Sequence, residues 1–549
     1  MKKKLIASIL AATMVLTTAA CGNENATNGS EASKNSEASE STVAAESSET
    51  VVEEEFSYPM TGKDKITWWT ELNSNVSSAN YANLGDTPGA KELSKQTGIE
   101  VEYIHPATGQ LAEAFNLMLA EGEYPDIISY KIASEYKGGP EQAIADDFIL
   151  PLNDIIDQYC PNLKAYLEAN PDVDKMIKTD DGTYYCFPSL MEVQDLATTQ
   201  GIIIRKDYLD AVGEKVPESL DDWYRVLTKF KDELKLISPW CSNWSGIRGG
   251  SFMYSFNLGN YKLGLDGNDK VVYGALTEQY KEYMQLMKQW YDEGLIDPDI
   301  TTIKSDLIKS RMTNGEGGSN YAWAGGGMQA IQLVGKELTP GFEFAACPYP
   351  SNNGVAAKAG YTTLRYSGYG TCITTDCEDI EAAARFLDYG YSTEGRIVYN
   401  YGIEGESYEM VNGVPTYTDL VLNNPDGLGI SAVISSYARS TYNGPFVQEL
   451  NYYTQYLQEP SVKLAPSTWT VATAADYILP SVTLTPEESE EAATILADVD
   501  TYVNEEVMKF FLGTRSFDEW DKYVAEAKAF GLDRVIEIYQ NAYDRYMAR

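Results

Sequence analysis

The chain has 549 residues and a formal net charge of −39, with 81 acidic residues against 42 basic ones and a single histidine. This acidity argues against nucleic acid as a partner, because phosphate binding needs clustered lysine and arginine. The single histidine, His105, excludes a histidine-rich zinc site and would have to serve in any Ser-His-Asp triad. The length predicts two large lobes, because it exceeds what one core usually supports.

The first 20 residues have the pattern of a signal peptide, in which lysines at 2–4 precede an apolar run over residues 5–20 and Cys21 follows small residues. The run is too short to span a bilayer comfortably, which disfavours a transmembrane helix. The segment resembles a bacterial lipoprotein signal, which implies palmitate attachment at Cys21 and a position on the outer face of the cell membrane. Thr18 stands where that pattern usually has an aliphatic residue, so ordinary secretion is the alternative.

Residues 21–56 are rich in serine, alanine and glutamate, with nine glutamates against one lysine and no helical or strand period. Such a segment cannot bury enough apolar surface to offset the entropy lost on ordering. We therefore predict a disordered acidic tether, which would let a globular body extend away from a lipid anchor.

The segment after the tether alternates between strand and helix patterns. Strands are predicted over residues 64–69, 99–104 and 126–130, where β-branched, apolar and aromatic residues dominate. Helices are predicted over residues 87–98 and 111–122, where apolar residues have helical spacing and glycines end the pattern. This β-α-β-α-β order predicts a parallel sheet with right-handed crossovers.

Ligands bind beyond the carboxyl ends of the strands in such a sheet. Some residues at these ends would alternatively cap helices or complete loops. The candidates are Trp69, Thr70, Glu71 and Asn73 at the first strand, His105 at the second, and Tyr130 and Lys131 at the third.

Capping-box patterns that start at Ser219 and Ser516 predict two later helices. Trp223, Trp290 and Trp520 fall on apolar helix faces, which predicts that they pack in the core. The six cysteines after Cys21 allow fifteen complete pairings, so bridges and buried free thiols both stay open.

Several short sequence motifs follow one another along the chain after the tether. They are EYPDI at 123–127, FILPLN at 148–153, DGTYYCFP at 181–188, IRKDYL at 204–209 with Pro217 and Trp223, EGLIDP at 293–298, NYGIEG at 400–405, and the chain end with Trp520, GL at 531–532 and YQ at 539–540. Each string alone is weakly specific, whereas their order and spacing together are fairly specific. They resemble bacterial extracellular solute-binding proteins, in particular the large lipoprotein group that serves ABC sugar importers.

The resemblance implies an α/β, periplasmic-binding-protein-like fold of type II, with two lobes and a ligand cleft between them. It assigns residues 57–200 and about 372–425 to lobe 1, and residues 201–371 and about 426–549 to lobe 2. We expect crossings between lobes at 198–205 and 370–374, although both segments would also suit ordinary interior strands. A hinge of a few residues suffices for lobe closure.

The resemblance also implies a function without catalysis. The protein would capture an oligosaccharide or other sugar and present it to ABC permease subunits in the membrane, as a monomer without cofactor or metal. A glycan-active hydrolase is the main alternative, because two carboxylates at a fixed separation suffice for hydrolysis. A peptide- or polymer-binding surface adhesin is the other.

A sugar site needs aromatic rings for the C–H faces and paired polar groups for the hydroxyls. Rings on irregular segments are the best candidates, because helix packing does not occupy them. Arg248 would suit an acidic sugar, but the acidity of the chain argues against one, so the sugar stays open. The candidates are Trp240, Asn243, Trp244 and Arg248 in one cluster, Trp323 in a second, Tyr366 and Tyr369 beside the return crossing, and Glu404 in the NYGIEG string, which would alternatively be structural.

Two more specific binding motifs are incomplete in this sequence. Gly325-Gly326-Gly327 lacks the following Lys-Ser/Thr of a phosphate-binding loop. Residues 266–270 begin like a calcium loop but lack glycine at the sixth position and glutamate at the twelfth, so a turn is predicted there.

Overall fold

The computed structural model describes residues 56–63, 65–107 and 109–549. The predicted signal peptide, Cys21 and the tether up to residue 55 lie outside the described residues. Ser57–Arg549 form one compact unit. Every helix in the described ranges is too short or too polar to cross a lipid bilayer.

The strands and helices follow one another along the whole described chain. The strands are β1 Ile66–Trp69, β2 Val101–Ile104, β3 Ile127–Tyr130, β4 Phe187–Met191, β5 Gln200–Arg205, β6 Ser238–Trp240, β7 Leu263–Leu265, β8 Val271–Tyr273, β9 Gly317–Trp323, β10 Phe344–Cys347, β11 Tyr366–Ile373, β12 Tyr408–Val411, β13 Val414–Tyr417 and β14 Val447–Gln448. The α-helices are α1 Ser74–Ser78, α2 Pro88–Thr97, α3 Leu111–Glu121, α4 Ile132–Glu135, α5 Gly139–Ala145, α6 Asn153–Tyr159, α7 Pro161–Ala169, α8 Pro171–Met176, α9 Lys206–Ala211, α10 Leu220–Asp232, α11 Trp244–Gly249, α12 Glu278–Asp292, α13 Ser305–Thr313, α14 Ala330–Leu338, α15 Ile380–Tyr389, α16 Thr393–Tyr401, α17 Asp419–Leu422, α18 Ile430–Tyr437, α19 Leu450–Tyr456, α20 Pro460–Lys463, α21 Ala465–Trp469, α22 Pro486–Leu512, α23 Trp520–Ala529 and α24 Leu532–Ala548. Short 3₁₀ helices cover Leu84–Asp86, Gln194–Ala197, Ser251–Phe256, Gly274–Leu276, Ala474–Tyr477 and Phe517–Glu519, and a π-helix covers Ala324–Gln329.

The first sheet has six strands in the order β14-β4-β11-β3-β1-β2. β1 pairs in parallel with both β2 and β3, which confirms the predicted parallel arrangement. The intervening α2 starts where the Thr87 side chain accepts a hydrogen bond from the backbone N–H of Ala90 (3.2 Å). It ends at Gly98, whose φ of 78° lies in the left-handed region that favours glycine.

The second sheet has four strands in the order β10-β5-β9-β6. β5 is antiparallel to β9 and β10, and β6 is parallel to β9. Its core contains interlocked rings in which Phe252 lies 4.6 Å from Trp240 and 5.1 Å from both Trp223 and Trp290. The predicted packing roles of Trp223, Trp290 and Trp520 are confirmed, because all three are buried.

The chain passes between the two sheets several times. It leaves the first sheet after β4, returns between β10 and β11, and leaves again after β14, because α20 and α21 pack on the second sheet. The first passage, between β4 and β5, includes the start of the expected crossing at 198–205, whose remainder is β5, an interior strand of the second sheet. The second passage precedes the expected crossing at 370–374, because β11 pairs on both sides within the first sheet. β11 spans the expected lobe boundary at residue 371, and β14 lies within the 426–549 segment expected in lobe 2.

One of the two predicted capping boxes forms, whereas Ser516 instead accepts the backbone N–H of Asp518 (3.2 Å) at the start of the 3₁₀ helix Phe517–Glu519. Ser219 and Asp222 form the reciprocal capping box of α10. Residues 266–270 form the turn between β7 and β8, where one Asp266 carboxylate oxygen accepts the Asn268 N–H at 2.8 Å. The six cysteines of the described part are buried free thiols, and burial raises the pKa of Cys186 to about 12.

Candidate functional site

Two cavities share the indole ring of Trp323. The first, which we call the second-sheet cavity, has a volume of about 510 Å³ and is lined by the second sheet and the segments around it. The other, the intersheet cavity, has a volume of about 620 Å³ and is lined by residues from both sheets and their connections. Gly326 and Tyr361 also line both cavities. Both volumes fall in the range of small-molecule binding pockets.

Trp323 is the last residue of β9, and 49% of its surface is exposed. β9 pairs with β5 up to this residue, with Trp323 opposite Gln200, and the N–H of the following Ala324 donates to the carbonyl of Thr199 (2.9 Å). The ring centroid of Tyr361 lies 5.6 Å away at an interplanar angle of 80°. The backbone of Trp323 is therefore fixed by the sheet, while its ring stays available to a ligand.

The backbone after Trp323 turns sharply through the π-helix Ala324–Gln329. Short π-helical turns are frequent at functional sites. Gly325 makes this turn possible next to α19, because a Cβ atom there would overlap the ring of Tyr456. Gly326 has open space around its Cα, so its backbone is exposed to both cavities.

The second-sheet cavity offers amide and hydroxyl groups. Asn243 caps α11 by accepting the backbone N–H of Gly246 at 2.9 Å, and Asn320 accepts the backbone N–H of Tyr321 at 2.6 Å. Burial raises the pKa of Tyr254 to about 12, so its hydroxyl is neutral at physiological pH. A neutral hydroxyl both donates and accepts hydrogen bonds, as the hydroxyl groups of a sugar require.

The intersheet cavity is bordered by a cluster of tyrosines. Tyr452, Tyr453 and Tyr456 come from the single short helix α19. The amide of Gln448 donates to the Tyr452 hydroxyl (3.0 Å), and the hydroxyls of Ser431 and Tyr456 lie 3.2 Å apart. Burial raises the pKa of Tyr452 and Tyr456, which keeps both phenols neutral. This cavity therefore combines ring faces with neutral polar groups.

Four of the fifteen predicted ligand residues line the cavities. Trp323 lines both, Asn243 lines the second-sheet cavity, and Asn73 and Lys131 line the intersheet cavity. Asn73 is the N-cap of α1, where its side chain accepts the backbone N–H of Asn75 (2.9 Å). These four come from different elements, which the fold brings to two adjoining cavities.

Three residues of the predicted 240–248 cluster do not line the cavities. Trp240 is fully buried against Trp223 and Phe252. Trp244 begins α11 and packs on Phe511 (5.3 Å between ring centroids). The guanidinium of Arg248 donates to the Asn504 side chain (2.6 Å) and lies over the ring of Tyr261.

The remaining predicted residues also lie outside both linings. The rings of Trp69 and Tyr130 contact each other (5.8 Å), and Tyr366 is buried with its hydroxyl 3.1 Å from that of Tyr185. Tyr369 is buried and donates to the carbonyl of Ser129 (3.2 Å). The carboxylates Glu71 and Glu404 are exposed and border neither cavity.

Sequence reasoning missed the tyrosines at 361, 452, 453 and 456. Tyr361 lies on an irregular segment between β10 and β11, so the criterion applied to Trp323 would have found it. The other three lie on a helix, where an apolar face normally indicates packing.

Two relatives match most of the chain. The fructooligosaccharide ABC transporter substrate-binding protein FusA of Streptococcus pneumoniae is 24% identical over 492 residues, which cover 83% of this chain and 87% of that protein. Lipoprotein LipO of Bacillus subtilis is 25% identical over 479 residues, which cover 83% of this chain and 86% of that protein.

The fold is similar to that of solved solute-binding structures. The crystal structure of alginate-binding protein AlgQ2 without calcium ion matches with a TM-score of 0.74 and 25% identity, over 89% of this chain and 100% of that chain. This likeness confirms the predicted α/β, periplasmic-binding-protein-like fold with two lobes. The family model of the bacterial extracellular solute-binding proteins matches residues 82–397, more than half of the chain. This chain therefore belongs to the bacterial extracellular solute-binding protein family.

Proposed function

We propose that this protein is the solute-binding subunit of an ABC importer and that it captures an oligosaccharide without altering it. The observation that carries the proposal is the exposed indole of Trp323 where the two cavities meet. Such a ring offers a flat apolar surface to the C–H face of a sugar unit. Cavities on both sides of it leave room for further units of the same chain.

Recognition of the hydroxyls would fall to the neutral polar groups around the ring. Asn243 and Tyr254 serve the second-sheet cavity, and Asn73 and Gln448 serve the intersheet cavity. These residues come from elements around both sheets, so we propose that each of the two lobes is built on one sheet and that the lobes close on the sugar. The connections between the sheets then act as the hinge, since a few loop residues absorb the torsional change of such closures.

The names of the relatives support the transport role. FusA is named as a fructooligosaccharide ABC transporter substrate-binding protein, and LipO is named as a lipoprotein. We therefore infer permease subunits as membrane partners and a monomeric, cofactor-free binding protein on the outer face of the cell membrane. The acidic tether would link the body to the lipidated Cys21.

Binding without turnover tests the function. In a thermal-shift and calorimetry screen, we expect one or more oligosaccharides to raise the apparent melting temperature and to bind with a Kd of about 1 μM, or about −8 kcal/mol. Chromatography after long incubation should recover the bound sugar intact. Shortened products would instead identify a hydrolase, and binding of peptides alone would identify an adhesin.

The anchor has a separate test. We expect Cys21→Ser to move the protein from the membrane fraction to the medium of the producing bacterium, because serine cannot accept the thioether-linked lipid. A membrane fraction unchanged by this substitution would contradict the lipoprotein assignment. Any of the six cysteines of the folded part, such as the buried Cys347, should leave the fractionation unchanged when replaced by alanine.

A further inference from the structure

Every charged side chain among the described residues that line the two cavities is basic. Lys309 lines the second-sheet cavity, and Lys131 and Arg365 line the intersheet cavity. This lining contrasts with the whole chain, in which acidic residues outnumber basic ones by 81 to 42. The charged side chains of the two cavities are therefore basic in a strongly acidic protein.

Arg365 has structural partners that occupy its guanidinium. It donates to the carbonyl of Met191 (3.0 Å) and to Tyr166 and Asn170, and it pairs with the carboxylate of Asp172 (3.2 Å). These bonds neutralise part of its charge and fix its position. The two lysines are therefore the groups with charge available to a ligand.

Lys131 and Lys309 are both exposed, and in the described ranges no carboxylate lies within 4.0 Å of either ammonium group. Lys131 follows the carboxyl end of β3 directly, whereas Lys309 lies on α13. They occupy different cavities, and the two cavities share Trp323. A saccharide that crosses this ring would meet one lysine on each side.

We propose that the ligand is an anionic oligosaccharide, whose acid groups on either side of the unit at Trp323 are bound by Lys131 and Lys309. This inference rests on the proposed function and narrows its substrate class. Lysine ammonium groups donate strong, charge-assisted hydrogen bonds to carboxylate or sulfate oxygens, and a neutral sugar gains less from them.

The acidity of the whole chain does not prevent this recognition. Repulsion between exposed charges is screened beyond a Debye length of about 8 Å at physiological ionic strength. Close to the site, the ligand interacts with the lysines at contact distance, where Coulomb attraction is largest. Repulsion from the rest of the surface would slow association more than it weakens the bound state.

The proposal is tested by measuring how charged and neutral ligands bind to the unsubstituted protein and to variants that lack one cavity lysine. The ligands are uronate oligomers of several backbones, each beside its neutral methyl ester, and sulfated oligosaccharides to distinguish sulfate from carboxylate. The variants are Lys131→Gln and Lys309→Gln, measured by calorimetry. The control is Lys304→Gln, because Lys304 is exposed on the same segment as Lys309 but lines neither cavity.

We expect an acid form to bind more tightly than its ester, and each cavity variant to weaken the acid form by about fivefold. The ester should change by less than twofold, and Lys304→Gln should change neither ligand. Neutral sugars that bind at least as tightly as every anionic one, or equal losses for acid and ester, would overturn the inference while leaving the proposed function intact. Failure of all saccharides to bind would overturn both.

Discussion

Replacing Trp323 with alanine is expected to weaken saccharide binding by about 1–3 kcal/mol, by analogy with the range measured when an aromatic ring that stacks on a nucleobase is removed. The expectation follows from the position of the ring, which is half exposed at the end of β9 and borders both cavities. The smaller ring of Tyr361 also lines both cavities and remains after the indole is removed, so a partial loss of affinity is expected. Trp323→Phe should recover part of the loss.

Trp244→Ala is the matched control for this experiment. This substitution removes an identical indole, but one that packs on Phe511 and lines neither cavity. We expect its Kd to stay within twofold of the unsubstituted protein, at the cost of a lower melting temperature. Equal Kd values for Trp323→Ala and the unsubstituted protein would refute the central role of this ring.

The first part of the fold could be predicted from the sequence because its signals are local. Thr87 and Gly98 fix the two ends of α2, and the strands beside it carry their own apolar patterns. The passages between sheets could not be predicted in the same way. β11 looks like a crossing segment by composition, and only its pairing with β3 and β4, far away in sequence, places it inside the first sheet.

The site was predicted in part, and the failures share a physical cause. Trp240 and Trp244 seemed free because their segment looks irregular, but Trp223 and Phe252 on neighbouring elements pack on the first, and Phe511, which is distant in sequence, packs on the second. Conversely, Tyr452 and Tyr456 lie on a helix whose ring-bearing face borders a cavity. Whether a face is covered by another element is a tertiary property that neither spacing nor composition contains.

The EGLIDP string shows how a resemblance can mark a structural residue. Its aspartate, Asp297, is fully buried at the edge of the second sheet. Its carboxylate accepts hydrogen bonds from the Ser238 hydroxyl (2.6 Å) and the Cys241 thiol (3.6 Å), and it pairs with the guanidinium of Arg311. This pairing raises the pKa of Arg311. Asp297 thus connects Ser238 of β6 with Arg311 of α13. The segment after β6 leads directly to Asn243.

Asp297→Ala is expected to lower the free energy of unfolding by about 3 kcal/mol, the lower end of the range for a broken buried ion pair, because the guanidinium of Arg311 loses its buried carboxylate and keeps the exposed Asp299. Urea denaturation of the purified protein measures this change. The double variant with Arg311→Met should lose less than the two single losses combined, since the guanidinium that has lost its buried partner is then absent.

The control for this prediction is Asp292→Ala, which removes an exposed partner of Lys288 on the surface of α12. An exposed pair of this kind contributes about 0.2–1 kcal/mol, so little change is expected. If Asp297→Ala lost no more stability than Asp292→Ala, the buried pair would not be what holds β6 in place. The geometry at Asn243 would then depend on the pairing of β6 with β9 and on the aromatic packing of Trp240.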